Sequence, residues 1–185
     1  MRLPALIVGA ACASALVSLA AVALAGDDGY GVESITLGVL AHDVGAFGRS
    51  AEPGTDFNVE IKFDELTGSV WDALLNPQPH LGASLNGSGA TSQIYVGMTW
   101  LFDFGYGFFG GGSLGGAVHN GETEAFERDE KSLGSSILFR ESVELGFRFA
   151  ARHSVSVMLD HISNAGLAKY NEGLDNFGVR YALGL

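Results

Sequence analysis

Residues 159–175 (LDHISNAGLAKYNEGLD) contain three residue types that together can perform nucleophilic hydrolysis. His161 and Ser163 are two residues apart, so on a β-strand their side chains share one face. Asp175 follows after a short polar loop. A serine nucleophile, a histidine base and a carboxylate that orients the histidine are the parts of a serine hydrolase. Taken singly, each has an ordinary explanation, as an interfacial histidine, a turn serine or a strand-starting aspartate. Their combination on one face favours catalysis.

The N-terminus predicts export of the chain. Arg2 precedes a long apolar run, and residues 23–25 (ALA) form a small-residue cleavage site, so residues 1–25 are predicted to be a cleaved signal peptide. A retained membrane anchor is the alternative. The one cysteine, Cys12, lies within this segment, which leaves residues 26–185 as a single domain without disulfide or thiol chemistry.

The composition of the remaining chain narrows the class of protein. Removal of Arg2 with the signal changes the net charge from −11 to −12, which argues against nucleic-acid binding. The chain has 27 glycines, 12 phenylalanines and only 4 prolines. No later segment has the roughly 20 continuous apolar residues of a membrane helix. This profile is typical of a bacterial outer-membrane β-barrel, with a soluble periplasmic sandwich as the alternative.

Side chains alternate with a period of two, as in β-strands. Phe57 and Val59, for example, oppose Asn58 and Glu60. The pattern predicts an all-β fold, an eight-stranded antiparallel transmembrane β-barrel. The stretch 66–77 fits a strand poorly and is predicted to be a short helix or an irregular link. The eight predicted strands are 33–44, 56–65, 79–86, 91–103, 106–118, 136–150, 153–163 and 175–185.

The lengths of the links predict how the barrel sits in the membrane. Links after the fourth and sixth predicted strands are short, and those after the fifth and seventh are longer, as expected for periplasmic turns and outer loops. The 66–77 link is the exception. His161, Ser163 and Asp175 then lie at the outward ends of their strands, in line with apolar, lipid-facing residues. An ionisable residue there costs only ~0–1 kcal/mol, against ~2–4 kcal/mol at mid-membrane. A hydrolytic site that faces lipid implies a lipid substrate.

A second carboxylate is expected near this histidine. Glu141 interrupts the lipid-facing row of the strand 136–150. Pairing around a tight turn near Ala151 places Glu141 beside His161. Two readings remain open: Glu141 assists the histidine, or a bulge turns it inward toward Arg140 or Arg148.

The segment HISNAGL at 161–167, followed by NEGLD at 171–175, resembles the signature of the lipid A 3-O-deacylase (PagL) family. The resemblance implies an eight-stranded outer-membrane barrel whose active site lies on the lipid-facing wall and removes the 3-O-linked acyl chain of lipid A. His161 would be the general base and Ser163 the nucleophile. Asp175 stands where the family usually has glutamate.

The resemblance also suggests which groups hold the oxyanion. Asn171 corresponds to an important loop asparagine of the family, and Asn164 and the backbone around Gly166 are further candidates. No cofactor or metal is implied, because the histidines show no compact metal spacing. They are His42, His80, His119, His153 and His161.

The expected partner of this membrane-embedded barrel is lipid A, or lipopolysaccharide, of the outer leaflet. No nucleic-acid partner is expected, and a homodimer is left open. A different class of function is a non-catalytic barrel that stabilises the membrane or binds a partner through the acidic loop 119–131. The simpler interpretation of that loop is a solvated outer turn. A third hypothesis is an esterase that acts on phospholipid.

Overall fold

The computed structural model describes residues 31–185, so the predicted signal peptide at 1–25 and Cys12 lie outside the described residues. Eight antiparallel strands form a closed barrel in which each pairs with its neighbours in sequence and the first pairs with the last. No helix within 31–185 is long and apolar enough to cross a membrane. The elements are β1 (Val32–Ala41), β2 (Thr55–Phe63), α1 (Ser69–Ala73), β3 (Gln78–Asn86), β4 (Gln93–Gly105), β5 (Phe108–His119), β6 (Ile137–Ala150), β7 (His153–Ser163) and β8 (Leu174–Gly184).

The predicted strand count, order and all-β fold are confirmed. The largest difference is at β1, which ends at Ala41 rather than at residue 44. Asp43 adopts a positive φ of 47°, a conformation that interrupts a strand. The segment 66–77, which fits a strand poorly, contains the short helix α1.

The barrel carries apolar side chains outside and charged side chains inside. Arg140 and Asp160, for instance, are 1% and 0% exposed. This arrangement of side chains is the reverse of that in a water-soluble sandwich, in which the apolar faces point inward. The closed ladder and this facing exclude the sandwich alternative. Exposed apolar side chains of the outer wall include Leu37, Phe57, Val96, Leu114, Val143, Val157 and Val179.

Interior charges are paired across the barrel. Arg180 Nη2 lies 2.6 Å from Glu60 Oε1, and the Tyr95 hydroxyl donates to the other oxygen of Glu60 at 3.1 Å. Arg140 Nε lies 2.6 Å from Asp160 Oδ1, and the Arg140 guanidinium stacks 3.6 Å above the Tyr95 ring. Buried charges persist when they are paired and hydrogen-bonded, so this network fills the lumen and ties the strands to one another.

Two bulky interior rings fit because glycine stands opposite each of them. A Cβ atom on Gly82 would lie 2.4 Å from Tyr95 Cζ, and one on Gly146 would lie 2.3 Å from Phe109 Cζ. Both glycines pair with these aromatic residues in the ladder. Any side chain at Gly82 or Gly146 would therefore force the facing ring to move.

The links at the two ends of the barrel differ in length, as predicted. Short turns, 106–107 and 151–152, lie at one end together with the longer link 64–77. We call this the turn end. The opposite end, called the loop end below, carries the links 42–54, 87–92, 120–136 and 164–173.

Buried ion pairs tie the loop-end links together. Lys131 Nζ lies 2.5 Å from Asp43 Oδ1, and both side chains are wholly buried. His42 lies 3.2 Å from Glu52 and 2.9 Å from Asp56. The prediction that 119–131 is a solvated outer turn is thus only partly right. Residues 122–124 and 126–129 are exposed, but Lys131 is buried and holds the loop to Asp43.

The pKa of His42 reflects this packing. Burial lowers its pKa, but hydrogen bonds with Asp56 and Glu52 outweigh burial and raise the pKa to about 9. Burial raises the pKa of Glu52, but hydrogen bonds from His42 and Thr91 outweigh it, so the pKa is lowered. His42 is therefore a cation between two carboxylates at neutral pH.

Stability should fall at alkaline pH because of this cation. A folded pKa raised from 6.5 to about 9 contributes stability that is complete below pH 6.5 and is lost as pH rises through about 9. The contribution is about 3 kcal/mol at most. We expect the free energy of unfolding by denaturant to fall more between pH 6.5 and 10 in the wild type than in His42→Gln. Equal pH dependence in the two proteins would contradict this role.

Candidate active site

His161 on β7 and Asp175 on β8 face each other as a cross-strand pair. His161 Nδ1 lies 2.5 Å from Asp175 Oδ1. The side chain of Asp175 is 2% exposed and that of His161 is 23% exposed. Directly opposed residues of an antiparallel pair have Cβ atoms about 4.5–5.5 Å apart, so an aspartate reaches the histidine without the extra methylene of glutamate.

A loop that is distant in sequence covers this pair. The Phe47 backbone N–H donates to Asp175 Oδ2 at 2.8 Å. The edge of the Phe47 ring packs on His161 with ring centroids 5.3 Å apart at 77°. The predicted facing of Asp175 therefore needs a correction: it continues the outward row of β8, but the link 42–54 buries it. Strand alternation cannot detect this, because the cover comes from another part of the chain.

Gly173 is a second contributor that sequence reasoning missed. It has a positive φ of 62°, and a Cβ atom there would lie 2.9 Å from His161 Cε1. A side chain would press on the imidazole, and the backbone conformation disfavours one. The NEGLD motif at 171–175 contains this glycine two residues before Asp175, so the signal was present in the sequence.

Ser163 is the last residue of β7 and lies on the same face as His161, half-buried, opposite Phe139 of β6. Because Asp175 occupies Nδ1 of His161, Nε2 is the ring nitrogen left to accept a proton. Ser163 follows His161 as the last outward-facing residue of β7. All three residues lie at the loop end of β7 and β8, where a hydrogen bond joins His161 to Asp175.

The candidate oxyanion donors differ in their availability. The Asn164 side-chain amide donates to Leu133 O at 2.8 Å and to Tyr170 O at 2.5 Å, so it holds the loops together. Asn171 is exposed, and its Oδ1 accepts the Asn164 backbone N–H at 2.8 Å, which leaves its NH₂ group as a donor.

The turn after Ser163 supplies further donors. Ala165 and Gly166 have positive φ values of 54° and 78°, and the Leu167 N–H closes the turn onto Asn164 O at 3.0 Å. Within residues 31–185, no hydrogen bond engages the backbone N–H of Ala165 or Gly166. These two groups lie within three residues of Ser163 and can serve a developing oxyanion.

Glu141 of β6 pairs with His161 in the ladder, at the predicted register. It is exposed on the outer wall, and the irregularity in this strand pair lies between Arg148 and Ala150 instead. The inward-turned reading of Glu141 is therefore wrong. Among the described residues its carboxylate has no hydrogen bond or ion pair, and it lies on the outer wall beside the histidine.

Residues 31–185 contain no group of three or more His, Cys, Asp or Glu side chains placed to hold a metal ion.

Comparison with known proteins identifies the family. A family model described as lipid A 3-O-deacylase (PagL) matches residues 54–184. The lipid A deacylase PagL of Pseudomonas aeruginosa is 37% identical over 54 residues, which cover 29% of this chain and 31% of that protein. The matched segment thus spans about a third of this relative.

A solved structure shows the same fold. The crystal structure of the outer membrane enzyme PagL aligns with a TM-score of 0.64 at 20% identity, covering 82% of this chain and 99% of the other. Because the family model spans well over half of the sequence, this chain belongs to the lipid A 3-O-deacylase (PagL) family.

Proposed function

We propose that this protein is an outer-membrane serine esterase that removes the 3-O-linked acyl chain of lipid A. The observation that carries the proposal is the hydrogen bond between His161 and Asp175 on the outer wall, with Ser163 in the same row. Family membership supports the reaction class. The signal peptide at 1–25 and a homodimer remain predictions.

In the proposed reaction His161 Nε2 takes the proton of Ser163 as its Oγ attacks the ester carbonyl carbon. Asp175 accepts a hydrogen bond from Nδ1–H and stabilises the imidazolium. The tetrahedral oxyanion receives hydrogen bonds from the backbone N–H groups of residues 165–166 and the NH₂ group of Asn171.

Collapse of the tetrahedral intermediate breaks the ester bond. His161 returns its proton to the departing sugar oxygen, and the acyl group stays on Ser163. A water molecule, deprotonated by His161, then attacks the acyl carbonyl. A fatty acid is released and the serine hydroxyl is restored.

The position of the site supports a lipid substrate. The barrel interior is filled by paired charges such as Glu60 and Arg180, so an acyl chain has no apolar lumen to enter. Outside, Phe139 is 48% exposed directly beside Ser163, and the apolar wall continues along β6. An ester that lies at the membrane boundary can therefore reach Ser163 from the lipid phase, without entering the barrel interior.

Expression of the protein should remove one 3-O-linked hydroxyacyl chain from cellular lipid A, measured by mass spectrometry. Ser163→Ala and His161→Ala should abolish the loss. Asp175→Asn should slow it by on the order of 10³–10⁴-fold, and Asp175→Glu should retain activity because the family usually has glutamate there. Ser154→Ala, a serine at the turn end of the same strand, is the control and should behave as wild type.

Two results would contradict the proposal. Unchanged lipid A, with folded barrel in the outer membrane, would favour a non-catalytic barrel. Release of phospholipid acyl chains without hydroxyacyl chains would favour a phospholipid esterase.

We also propose that Glu141 assists His161. Its negative charge lies one strand away from the imidazole and favours the imidazolium that forms during proton transfer. At an exposed site this attraction is worth about 1 kcal/mol, or roughly five-fold in rate.

Glu141→Gln should therefore lower kcat/KM roughly five-fold and move the acid limb of its pH profile to lower pH. The control is Glu33→Gln, a substitution of an exposed carboxylate at the turn end of β1. If Glu141→Gln and Glu33→Gln give the same rate and pH profile as wild type, Glu141 has no part in the reaction.

A further inference from the structure

Residues 42–54, which link β1 and β2, form a wall of the site that strand patterning does not show. We propose that Phe47 in this link is a positioning residue for the His161–Asp175 pair, acting through its backbone N–H and the edge of its ring. This inference rests on the proposed function, since it assigns a role at the same site. It adds a part that lies 114 residues before the histidine in the chain.

The link is joined to the start of β8 by three backbone donors. The Asp43 N–H donates to Asn176 Oδ1 at 3.1 Å, and the Val44 N–H donates to Asp175 O at 2.7 Å. The Phe47 N–H then reaches Asp175 Oδ2 at 2.8 Å. The link is thus aligned on Asp175, which carries the carboxylate of the site, and on its neighbour Asn176.

These contacts leave Asp175 with a hydrogen bond to each oxygen. Oδ1 is bonded to His161 and Oδ2 to the Phe47 N–H. Two bonds on opposite oxygens fix the plane of the carboxylate, and a fixed carboxylate fixes the imidazole. Loss of the Phe47 bond would leave Asp175 free to rotate away from the histidine.

The Phe47 side chain adds a second constraint. Its ring meets the imidazole edge-on, at 77° and 5.3 Å between centroids, the geometry favoured by aromatic pairs. The ring is nevertheless 71% exposed, so it is held by the site rather than by an apolar core. Gly173 lies against His161 Cε1, and together the two residues limit the rotation of the imidazole.

Buried polar contacts among the loop-end links keep the link 42–54 in place. Asp43 Oδ2 accepts the Ala51 N–H at 2.6 Å and the Glu52 N–H at 3.0 Å, which folds the link on itself. Asp43 Oδ1 is bonded to the buried Lys131 at 2.5 Å. Phe47 therefore projects from an anchored loop, and its N–H is pre-organised before substrate arrives.

The charged and titratable groups around His161 come from three directions. Asp175 faces it from β8, Glu141 from β6, and Ser163 follows it on β7. The link contributes Phe47, which is uncharged. A change at Phe47 therefore acts on His161 through Asp175 and through exposure of the ring to water, without adding or removing a charge.

Three variants separate the two contributions. Phe47→Ala removes the ring and keeps the N–H, whereas Phe47→Pro removes both. The matched control is Phe126→Ala, another exposed loop-end phenylalanine, 90% exposed, outside the site. Folding of each barrel is checked by the difference in gel mobility between unheated and heated samples.

The kinetic readout is kcat and KM on lipid A in detergent micelles across pH. We expect Phe47→Ala to lower kcat roughly three- to ten-fold and Phe47→Pro roughly ten- to a hundred-fold, with little change in KM. Without this donor Asp175 can rotate away from His161 and stabilises the imidazolium less, so the acid limb should move to lower pH in Phe47→Pro. Phe126→Ala should match the wild type.

A second readout does not depend on lipid A. The ring signals of isotope-labelled histidines are followed by NMR through a pH titration, with His161 assigned by its loss in His161→Gln. We expect the His161 titration to shift in folded Phe47→Pro and to stay unchanged in Phe126→Ala. A purely structural role for the loop would leave this titration unchanged.

The outcomes are distinguishable. If Phe47→Pro and Phe47→Ala, both folded, match Phe126→Ala in rate and in the His161 titration, the positioning role is overturned. If the wild type does not deacylate lipid A but the His161 titration still shifts in Phe47→Pro, the positioning role stands and the proposed function fails.

Discussion

The antiparallel register between β7 and β8 is the constraint on which the site depends. It sets His161 opposite Asp175, with a hydrogen bond of 2.5 Å between Nδ1 and Oδ1. A shift by one residue would turn every side chain of β8 to the other face and carry Asp175 into the lumen. The register is protected because the same ladder must place Arg180 inside, against Glu60.

The polar interior and apolar exterior of the barrel explain why the candidate site faces outward. The lumen is occupied by ion pairs and by Tyr95 and Phe109, each accommodated by a glycine on the facing strand. Charges in this interior are stable because each meets a partner, and the apolar outer wall is stable in hydrocarbon. With the interior closed, only the outer wall and the loop end remain for chemistry.

Loops at the loop end complete what the strands begin. The buried Lys131–Asp43 pair and the His42 cation hold the links 42–54 and 120–136 over the barrel mouth. Their anchoring brings the Phe47 N–H to Asp175 and leaves the Asn171 amide and the turn after Ser163 as donors. A rigid scaffold with functional groups on its rim is a common division of roles between strands and loops.

Local patterns in the sequence determined much of this protein. The period-two alternation predicts the eight strands and their facing, since side chains alternate strictly along a strand. The spacing of His161 and Ser163 and the tight turn near Ala151 predict the shared face and the position of Glu141 beside the histidine. These features depend on neighbours in sequence or across one hairpin.

Tertiary structure alone decided the rest. Closure of the ladder between β1 and β8 separates a barrel from a sandwich, because both share the same alternation. The burial of Asp175 under Phe47, and of Lys131 against Asp43, joins segments far apart in the chain through contacts that no local period encodes. The facing of Glu141 was likewise settled by the ladder, because the irregularity of the β6–β7 pair falls between Arg148 and Ala150 and leaves Glu141 exposed opposite His161.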